Sequence, residues 1–385
     1  MRENKPPPGR ISKSDGAVLS VALDARALNT PHLRGMGKYA WNIVDRLSRD
    51  DRVHWILFGD RPEIPFHAPD TAFADIRQFE LRGYRLHSWE QLGLPWHTAR
   101  VKVDVLHCPA TRVPWWQPAP TVVTIHDVMP WLGDEPSWPR GWYRDSLIPY
   151  AWRRTHAIIT DSDNSKTDIV RIFPNLENKL RVIPLGVDDA YLTVPPGPVP
   201  AALRDAGVHT PYLLYIGGPI ERKRAGWAIK VFECLADPAL RLVLCGFDCT
   251  AADEFLRSIS PVLRARLQFL PFVAEADMPR LLQDAIAILY PTRYEGFGLP
   301  IVEAHAVGTP VLFSPVSSLT ELIGPAAEVL PVDDLNAWVD TVQRLVAQRR
   351  ECPAPHQASR QWARQFSWDV CAARHLEVYR AVAKR

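Results

Sequence analysis

The 385-residue sequence has no apolar run that approaches the roughly 18 residues of a membrane-spanning helix. It also lacks a dominant charge, since 45 Lys and Arg stand against 43 Asp and Glu and give a formal net charge of +2. This balance gives no electrostatic reason to expect a nucleic-acid partner. The start of the chain, MRENKPPPGRISKSDG, has no apolar core. It is therefore not a secretory signal, and we expect residues 1–17 to form a disordered tail.

Cysteine is scarce and scattered. The six cysteines include one close pair, Cys245 and Cys249, which lacks the second pair that a zinc site needs. We therefore expect reduced, mostly buried cysteines in a cytoplasmic protein. The sequence is interpreted as having no Asp-x-Asp pair that would hold a divalent metal, and we expect no bound metal and no cofactor.

The most informative stretch is YPTRYEGFGLPIVEAHAVGTPV, residues 290–311. The apolar run Ala285–Tyr290 predicts a buried strand that leads into it. Two glycines, Gly296 and Gly298, permit a sharp turn with exposed N–H groups, and a proline in the first helical turn favours a helix that ends at Gly308. The pattern is a glycine-rich turn between a strand and a helix.

Two carboxylates flank this turn, Glu295 before it and Glu303 within the helix. Bare N–H groups at a helix N-terminus attract anions such as phosphate, whereas carboxylates accept hydrogen bonds from hydroxyls. A nucleotide sugar has both the phosphate groups and the hydroxyl groups that such a site would bind. On spacing alone, a solvated surface turn with two exposed glutamates explains the pattern equally well.

The residues EGFGLPIVEAHAVGTPV closely resemble the signature of the family 4 retaining glycosyltransferases. The resemblance implies that Glu295 lies near the donor sugar and that Glu303 contacts the ribose. It also implies that the backbone amides of the turn, which includes Phe297, Gly298 and Leu299, face the sugar and the diphosphate. The expected fold is α/β of the GT-B type, with two Rossmann-like domains that face each other across a cleft.

The first half of the chain begins as an open α/β domain does. A strand at Val18–Leu23 is followed by a loop predicted at Asp24–Met36, and Gly35-Met36-Gly37 leads from this loop into a helix. Gly35 and Gly37 belong to RGMGKY, which resembles the family's glycine loop beside the donor diphosphate; an ordinary helix start is the alternative. Further strands are predicted at residues 53–58, 101–107, 121–125 and 157–160.

His126 and Asp127 follow the strand TVVTI, where ligands of such sheets bind. A structural histidine is the common finding at such a position. The segment TIHDVMPWLGDEP nevertheless resembles the family loop whose histidine reaches the sugar ring. This implies that His126 stabilises an oxocarbenium-like transition state by hydrogen bonding and does not act as a nucleophile.

Aromatic and basic residues alternate in residues 137–156, SWPRGWYRDSLIPYAWRRTH. Such a mixture indicates either a membrane-surface segment or a core-packed helix with a solvated arginine face. The next helix is predicted from Lys166, with Asp163 or Ser165 as its cap. The proline-rich residues 194–203 predict a stiff linker.

The second half opens with the strand Tyr212–Ile216 and the sequence GGPIERKRAG. Its cations fit a solvated charge run. They also resemble the family pattern in which a lysine neutralises the diphosphate, and this implies that Lys223 is that lysine and Arg222 its neighbour. Many family members carry an arginine directly after the strand-end glycine. Here Gly218 stands in that place, and the resemblance then implies that Arg222 supplies the missing charge.

We therefore predict an N-terminal acceptor-side domain of residues 18–194, a nucleotide-sugar-binding domain of residues 204–365, and a last helix of residues 366–385 that crosses back. His126, Lys223 and Glu295 are the predicted catalytic residues. The expected reaction is metal-independent, retaining transfer of mannose from GDP-mannose to a saccharide or lipid-linked acceptor, in the cytoplasm or at the inner membrane face. A UDP-sugar donor, a sugar-nucleotide epimerase and a silent nucleotide-sugar-binding protein are the alternatives.

Overall fold

The computed structural model of the protein describes residues 18–33, 35–61, 64–68, 74–78, 88–133, 141–195, 197, 199–257, 259–351 and 356–384. Within these residues the chain divides into two compact units. The first unit holds the described residues up to 124 together with 141–158 and 372–384. The second holds residues 125–133 and the described part of 159–371.

Thirteen strands are described, and most have short, largely apolar sequences. They are β1 Leu19–Asp24, β2 Val53–Gly59, β3 Ala74–Gln78, β4 Val105–Cys108, β5 Thr121–Thr124, β6 Ala157–Thr160, β7 Leu180–Val182, β8 Tyr212–Ile216, β9 Arg241–Cys245, β10 Leu267–Leu270, β11 Ile288–Tyr290, β12 Val311–Phe313 and β13 Ala327–Val329. Near-continuous apolar strands are typical of parallel sheets that helices cover on both faces.

The strands form two sheets with separate switch points. The first has the order β3-β2-β1-β4-β5-β6-β7, and β1 pairs in parallel with both β2 and β4. The second has the order β10-β9-β8-β11-β12-β13, and all its neighbours are parallel. The order reverses between β1 and β4 in the first sheet and between β8 and β11 in the second. Ligands of open α/β sheets bind at the carboxyl ends of such strand pairs.

The helices of the described residues connect these strands. They are α1 Gly35–Leu47, α2 Leu94–Arg100, α3 Met129–Leu132, α4 Ile148–Arg154, α5 Asp163–Ile172, α6 Asp189–Leu192, α7 Ala201–Asp205, α8 Ala225–Glu233, α9 Cys249–Arg257, α10 Pro261–Arg264, α11 Met278–Asp284, α12 Leu299–Val307, α13 Leu335–Glu351, α14 Gln357–Ala363 and α15 Trp368–Ala383. Short tight turns at Ala25–Ala27, Glu221–Lys223 and Ser317–Leu322 complete the connections that matter for the site.

The core of the second unit shows why these helices stay on their sheet. Leu213, Leu244 and Leu289 of three neighbouring strands are fully buried and pack in one cluster with Phe232 of α8 and Trp338 of α13. Burial of large apolar side chains on this scale stabilises a domain by about 1.5–3 kcal/mol for each such residue. The sheet is therefore a rigid support for the loops at its carboxyl edge.

The predicted α/β fold with two Rossmann-like sheets is confirmed. Two local predictions are wrong. Helix α5 begins at Asp163 and not at Lys166, and its cap is Ser162, whose hydroxyl accepts a hydrogen bond from the N–H of Ser165. Gly35 begins α1, so the GMG sequence forms the first helical turn and not a loop before it.

Two other predictions remain open. The domain boundary in the proline-rich segment stays a prediction, and residues 196 and 198 lie outside the described residues. The expected tail of residues 1–17 also lies outside them. Of the described cysteines, Cys108, Cys245 and Cys371 are buried, Cys234 and Cys249 are exposed, and all are free thiols.

Candidate functional site

The candidate site lies at the switch point of the second sheet. Strand β8 ends at Ile216 before Gly217 and Gly218, and strand β11 ends at Tyr290 before Pro291. Because parallel neighbouring strands end at the same edge of a sheet, the segments that follow them lie together. Arg222 and Lys223 come from the first segment, and Glu295 comes from the second.

The two cationic side chains converge on one carboxylate oxygen of Glu295. Arg222 Nη1 lies 2.8 Å from Glu295 Oε1, and Lys223 Nζ lies 3.7 Å from the same oxygen. Thr292 Oγ1 also donates to this oxygen at 3.1 Å, and Arg222 Nη1 donates to the Tyr294 carbonyl at 2.8 Å. All three side chains are less than a quarter exposed. The site therefore holds two cations and one carboxylate where phosphate or hydroxyl oxygens can compete for the same donors.

The glycine turn follows Glu295 directly. Gly298 adopts a left-handed backbone with φ of +106° and precedes α12, in which Pro300 lies in the first turn. A Cβ atom at this position would lie 2.7 Å from a methyl carbon of Leu319. The Phe297 side chain is buried, with its ring centroid 6.0 Å from that of Phe366, so only the backbone of Phe297 is available to a ligand. Leu299 begins the helix as predicted.

Glu303 lies one turn further along α12 and is buried, with 7% of its surface exposed. Its carboxylate is close enough to Tyr191 to act on it electrostatically. Burial first, and the charge of Glu303 second, raise the pKa of the Tyr191 phenol well above its usual value. A buried carboxylate needs hydrogen-bond donors, and ribose hydroxyls are suitable ones.

His126 is held by a carboxylate that the sequence did not reveal. Its Nδ1 lies 2.6 Å from Oδ2 of Asp161, which is 2% exposed. A carboxylate partner keeps a proton on Nδ1, so that Nε2 of the neutral ring is an acceptor. Asp161 comes shortly after β6, and His126 comes shortly after the neighbouring strand β5. This common position at the ends of neighbouring strands was the only feature of the sequence that indicated the pairing of Asp161 with His126.

The loop of His126 packs directly against the glycine turn. Ser165 Oγ lies 2.9 Å from the carbonyl of His126 and 3.1 Å from that of Gly296, and Ser162 Oγ donates to the Gly296 carbonyl at 2.8 Å. A Cβ atom on Gly296 would lie 2.5 Å from the His126 carbonyl oxygen. Only glycine allows this approach, and it brings the histidine loop to the residue that follows Glu295.

Asp127 adds a second acid beside the cluster. It is half-buried, and its carboxylate accepts a hydrogen bond from the N–H of Met129 at 3.0 Å. Burial raises the pKa of Asp127 above its ordinary value, while the hydrogen bond from Met129 and the positive charge of Arg222 lower it and the charge of Glu295 raises it. Asp127 therefore lies close enough to Arg222 and Glu295 for their charges to act on it.

The structure thus brings His126, Arg222, Lys223 and Glu295 together, with the Gly296–Leu299 turn beside them. Gly35 and Gly37 lie in the first unit. Gly37 is packed so closely that a Cβ atom would lie 2.8 Å from the carbonyl oxygen of Ala27, whereas Gly35 has open space around it. The close approach explains a glycine at position 37 without reference to a ligand.

The described residues contain no group of three or more metal-ligating side chains. One Asp-x-Asp triplet, Asp161-Ser162-Asp163, does occur in the first half of the chain. The carboxylate of Asp161 holds His126, and Asp163 begins α5. Among the described helices, none has both the length and the apolar character of a membrane span.

Family models match both halves of the chain. One described as "Glycosyltransferase Family 4" matches residues 33–191, and one described as "Glycosyl transferases group 1" matches residues 210–348. Among curated proteins, the O-antigen chain mannosyltransferase B of Escherichia coli is 26% identical over 90% of this chain and 96% of its own length.

Solved structures with the same fold cover nearly the whole chain. Sucrose-phosphate synthase from Thermosynechococcus elongatus superposes with a TM-score of 0.75 and 20% identity, covering 94% of this chain and 99% of its own. The Anabaena protein HepE in complex with UDP-glucose superposes with a TM-score of 0.70 and 16% identity, covering 94% and 99%. At these identities the two structures show the fold alone, which is the GT-B fold.

Proposed function

Because the chain belongs to family 4 of the glycosyltransferases, we propose that it transfers mannose from GDP-mannose to a hydroxyl of a saccharide or lipid-linked saccharide. The proposal covers the donor, the acceptor and the stereochemistry, since glycosyl transfer itself follows from the family. It also assigns the enzyme to cell-surface polysaccharide synthesis in the cytoplasm, at the inner face of the membrane. The Escherichia coli mannosyltransferase, which matches almost end to end, supports this choice.

One observation carries the assignment of the donor site. The guanidinium of Arg222 and the ammonium of Lys223 share one oxygen of Glu295 beside a left-handed glycine and a helix N-terminus. A diphosphate takes both cations and the free N–H groups, and the carboxylate is then released to accept sugar hydroxyls. Glu303, buried further along α12, binds the ribose.

We infer the reaction route from the family, and this placement of charges supports it. The bond between the anomeric carbon and the phosphate oxygen breaks, and Lys223 and Arg222 stabilise the charge that develops on the leaving diphosphate. His126, oriented by Asp161, stabilises the oxocarbenium-like sugar. The acceptor hydroxyl then attacks from the same face, and its proton passes to an oxygen of the leaving phosphate. This route retains the anomeric configuration and uses neither a covalent nucleophile nor a metal.

A thermal-shift comparison of GDP-mannose, UDP-glucose and ADP-glucose identifies the donor, because a ligand raises the melting temperature in proportion to its affinity and concentration. We expect GDP-mannose to give the largest shift and to be hydrolysed slowly in the absence of acceptor. A larger shift with UDP-glucose would replace the donor assignment and leave the mechanism intact. Binding without hydrolysis or transfer would favour a silent nucleotide-sugar-binding protein.

Membrane contact is the remaining part of the proposal. Residues 142–153 line an open groove of about 510 Å³ that includes Trp142, Tyr150 and Arg153. Trp142 is 70% exposed and Tyr150 is 48% exposed. Exposed indole, phenol and guanidinium groups together are typical of surfaces that lie at the lipid headgroups. By contrast Trp152 is buried in the core of the first unit, so only part of the alternating pattern faces outward.

The lipid contact is tested by flotation with phosphatidylglycerol vesicles. We expect the wild type to float with the vesicles. The double variant Arg153→Glu/Arg154→Glu reverses two exposed charges and should not float. Arg49→Glu/Arg52→Glu, on exposed arginines that pair with aspartates, matches it in net charge and should float as the wild type does. Equal flotation of both variants would remove the membrane contact from the proposal. Trp138 and Arg140 lie outside the described residues, and Arg144 is buried against Asp145.

A further inference from the structure

The backbone of Glu295 is held on both sides by two adjacent serines. Ser317 and Ser318 begin the tight turn that follows strand β12. The hydroxyl of Ser317 accepts a hydrogen bond from the N–H of Glu295 at 2.9 Å. The hydroxyl of Ser318 donates to the Glu295 carbonyl at 2.8 Å and to the Phe297 carbonyl at 3.0 Å. The two serines therefore fix the main chain where the glycine turn begins.

Ser317 has a backbone conformation that serine rarely adopts. Its φ is +46°, which lies in the left-handed region. This conformation costs free energy for most residues other than glycine, and residues strained in this way cluster at functional sites. Only two other described residues that are not glycine, Thr111 and Arg224, have a positive φ. Glycine would relieve the strain at position 317, so the conformation alone does not explain why serine stands there.

The hydroxyl of Ser317 is the group that glycine would lack. It receives the N–H of Glu295 in a part of the site where the Glu295 side chain is only 12% exposed. A backbone N–H that loses its acceptor must turn toward water or toward another acceptor. Either movement rotates the peptide group that precedes the Glu295 side chain. The hydroxyl of Ser317 therefore gives a physical reason for a strained serine at this position.

The orientation of this peptide group sets the position of the Glu295 carboxylate. Oε1 of Glu295 lies 2.8 Å from Arg222 Nη1 and 3.7 Å from Lys223 Nζ. Charge-assisted contacts depend on distance and direction, and a displacement of about 1 Å at a reacting site can lower a rate by about 10²-fold. Ser317 thus acts on both cations through Glu295.

The remainder of the tight turn is held by other contacts. Ser318 is 1% exposed and Leu319 is fully buried. A methyl carbon of Leu319 packs so closely on Gly298 that it leaves no room for a Cβ atom there. The hydroxyl of Thr320 donates to the Ser317 carbonyl at 3.0 Å. Removal of the Ser317 hydroxyl therefore takes one hydrogen bond from a turn that keeps its buried contacts.

We propose that Ser317 is a positioning residue for glycosyl transfer, whose hydroxyl orients the carboxylate of Glu295 toward the two cations and the donor sugar. This inference rests on the proposed function and deepens it, because it adds a residue that acts on the donor through Glu295. The strained backbone supports the position of the hydroxyl. Activity should therefore depend on the hydroxyl at position 317, whereas stability should depend on the strain.

Three substitutions of Ser317 separate these two effects. Ser317→Gly and Ser317→Ala both remove the acceptor, and each should lower kcat for donor hydrolysis and for transfer by about tenfold, with KM for GDP-mannose changed by less than about twofold. Ser317→Ala keeps the strain and should melt at a lower temperature than Ser317→Gly. Ser317→Thr keeps the hydroxyl in a conformation that Thr111 also adopts, and its kcat should stay within about twofold of the wild type.

Ser260→Gly is the matched control. The hydroxyl of Ser260 also accepts a backbone N–H, that of Leu263 at 3.3 Å, at an exposed position of the same unit, and its loss should leave kcat unchanged. A double-mutant cycle with Glu295→Gln shows whether Ser317 acts through the carboxylate. In the Glu295→Gln background, Ser317→Gly should lower kcat by less than about twofold.

The outcomes separate the two proposals. If the wild type neither hydrolyses nor transfers a sugar from GDP-mannose or UDP-glucose, the proposed function fails and the positioning role fails with it. If the wild type is active but Ser317→Gly retains its kcat, or lowers kcat equally with and without Glu295→Gln, the positioning role is wrong and the function stands. Values of kcat that follow the melting temperatures of the three Ser317 variants would likewise overturn it, because a merely structural role produces that order.

Discussion

Arg222 and Glu295, which are 73 positions apart in the sequence, meet at 2.8 Å through Nη1 and Oε1. The contact joins the loop after β8 to the loop after β11, on the two sides of the switch point of the second sheet. The same oxygen of Glu295 also pairs with the ammonium of Lys223. One carboxylate thereby determines the positions of both cations that are proposed to receive the diphosphate.

Glu295→Gln should therefore disorder the two cations and remove an acceptor for sugar hydroxyls. We expect kcat for mannosyl transfer to fall by about 10²-fold, while the stability loss stays within about 1 kcal/mol because the pair is partly open to solvent. Steady-state kinetics and a urea titration measure the two effects. Glu233→Gln, at an exposed position of α8, serves as the control. Wild-type rates for Glu295→Gln would contradict the assignment.

Lys223→Ala tests the charge on the leaving group more directly. Its ammonium is the cation nearest to Glu295 after Arg222, and its loss should slow transfer and donor hydrolysis by roughly 10²–10³. Lys230→Ala removes an exposed lysine that lies over the Trp227 ring and should leave both rates unchanged. If both variants behave alike, Lys223 does not contact the diphosphate.

Asp161→Asn tests whether the carboxylate positions His126. An amide cannot keep the proton on Nδ1 as an ionised carboxylate does, so we expect kcat to fall by about 10²-fold. The melting-temperature shift caused by GDP should stay as in the wild type, because the nucleotide site is elsewhere. The neighbouring Asp163→Asn, whose side chain is exposed, is the matched control. An equal loss of GDP binding and kcat would instead indicate a structural role for Asp161.

His305 makes stability depend on pH. The residue is fully buried in α12, its Nδ1 lies 2.5 Å from Ser359 Oγ, and burial lowers its pKa to about 4. Between pH 6.5 and 4 the His305 imidazole binds a proton in the unfolded chain but stays neutral in the folded chain. The free energy of unfolding should therefore decrease as the pH falls through this range, by up to roughly 3 kcal/mol.

Chemical denaturation at several pH values measures this slope. His305→Gln should lose much of it, whereas His209→Gln, at an exposed position, should keep it. An unchanged slope in His305→Gln would show that other groups cause the acid sensitivity.

The sequence predicted strands most accurately where an apolar run ends at a polar or glycine residue, as at Ala157–Thr160 and Tyr212–Ile216. The predicted strand at residues 101–107 begins four residues before the observed strand β4. Residues 101–104 are outside β4, since Asp104 instead accepts a hydrogen bond from the N–H of Ser20 at 2.7 Å. Strand β3, which is short and polar, gave no apolar signal and was missed.

The same physical limit applies to the site. Lys223 and Glu295 stand in local motifs, and the turn chemistry around them can be inferred from adjacent residues. Asp161 and Ser162 act on residues that are 35 and 134 positions away, and only the folded chain brings them there.

The contact between Gly296 and the His126 carbonyl leaves no room for even a methyl group. The two loops are therefore fixed by close backbone packing, and neither can move to accommodate a different sugar. If descendants of this sequence change their donor preference, we therefore expect substitutions of side chains such as Arg293 and Tyr294. The backbone conformation of the two loops should stay the same.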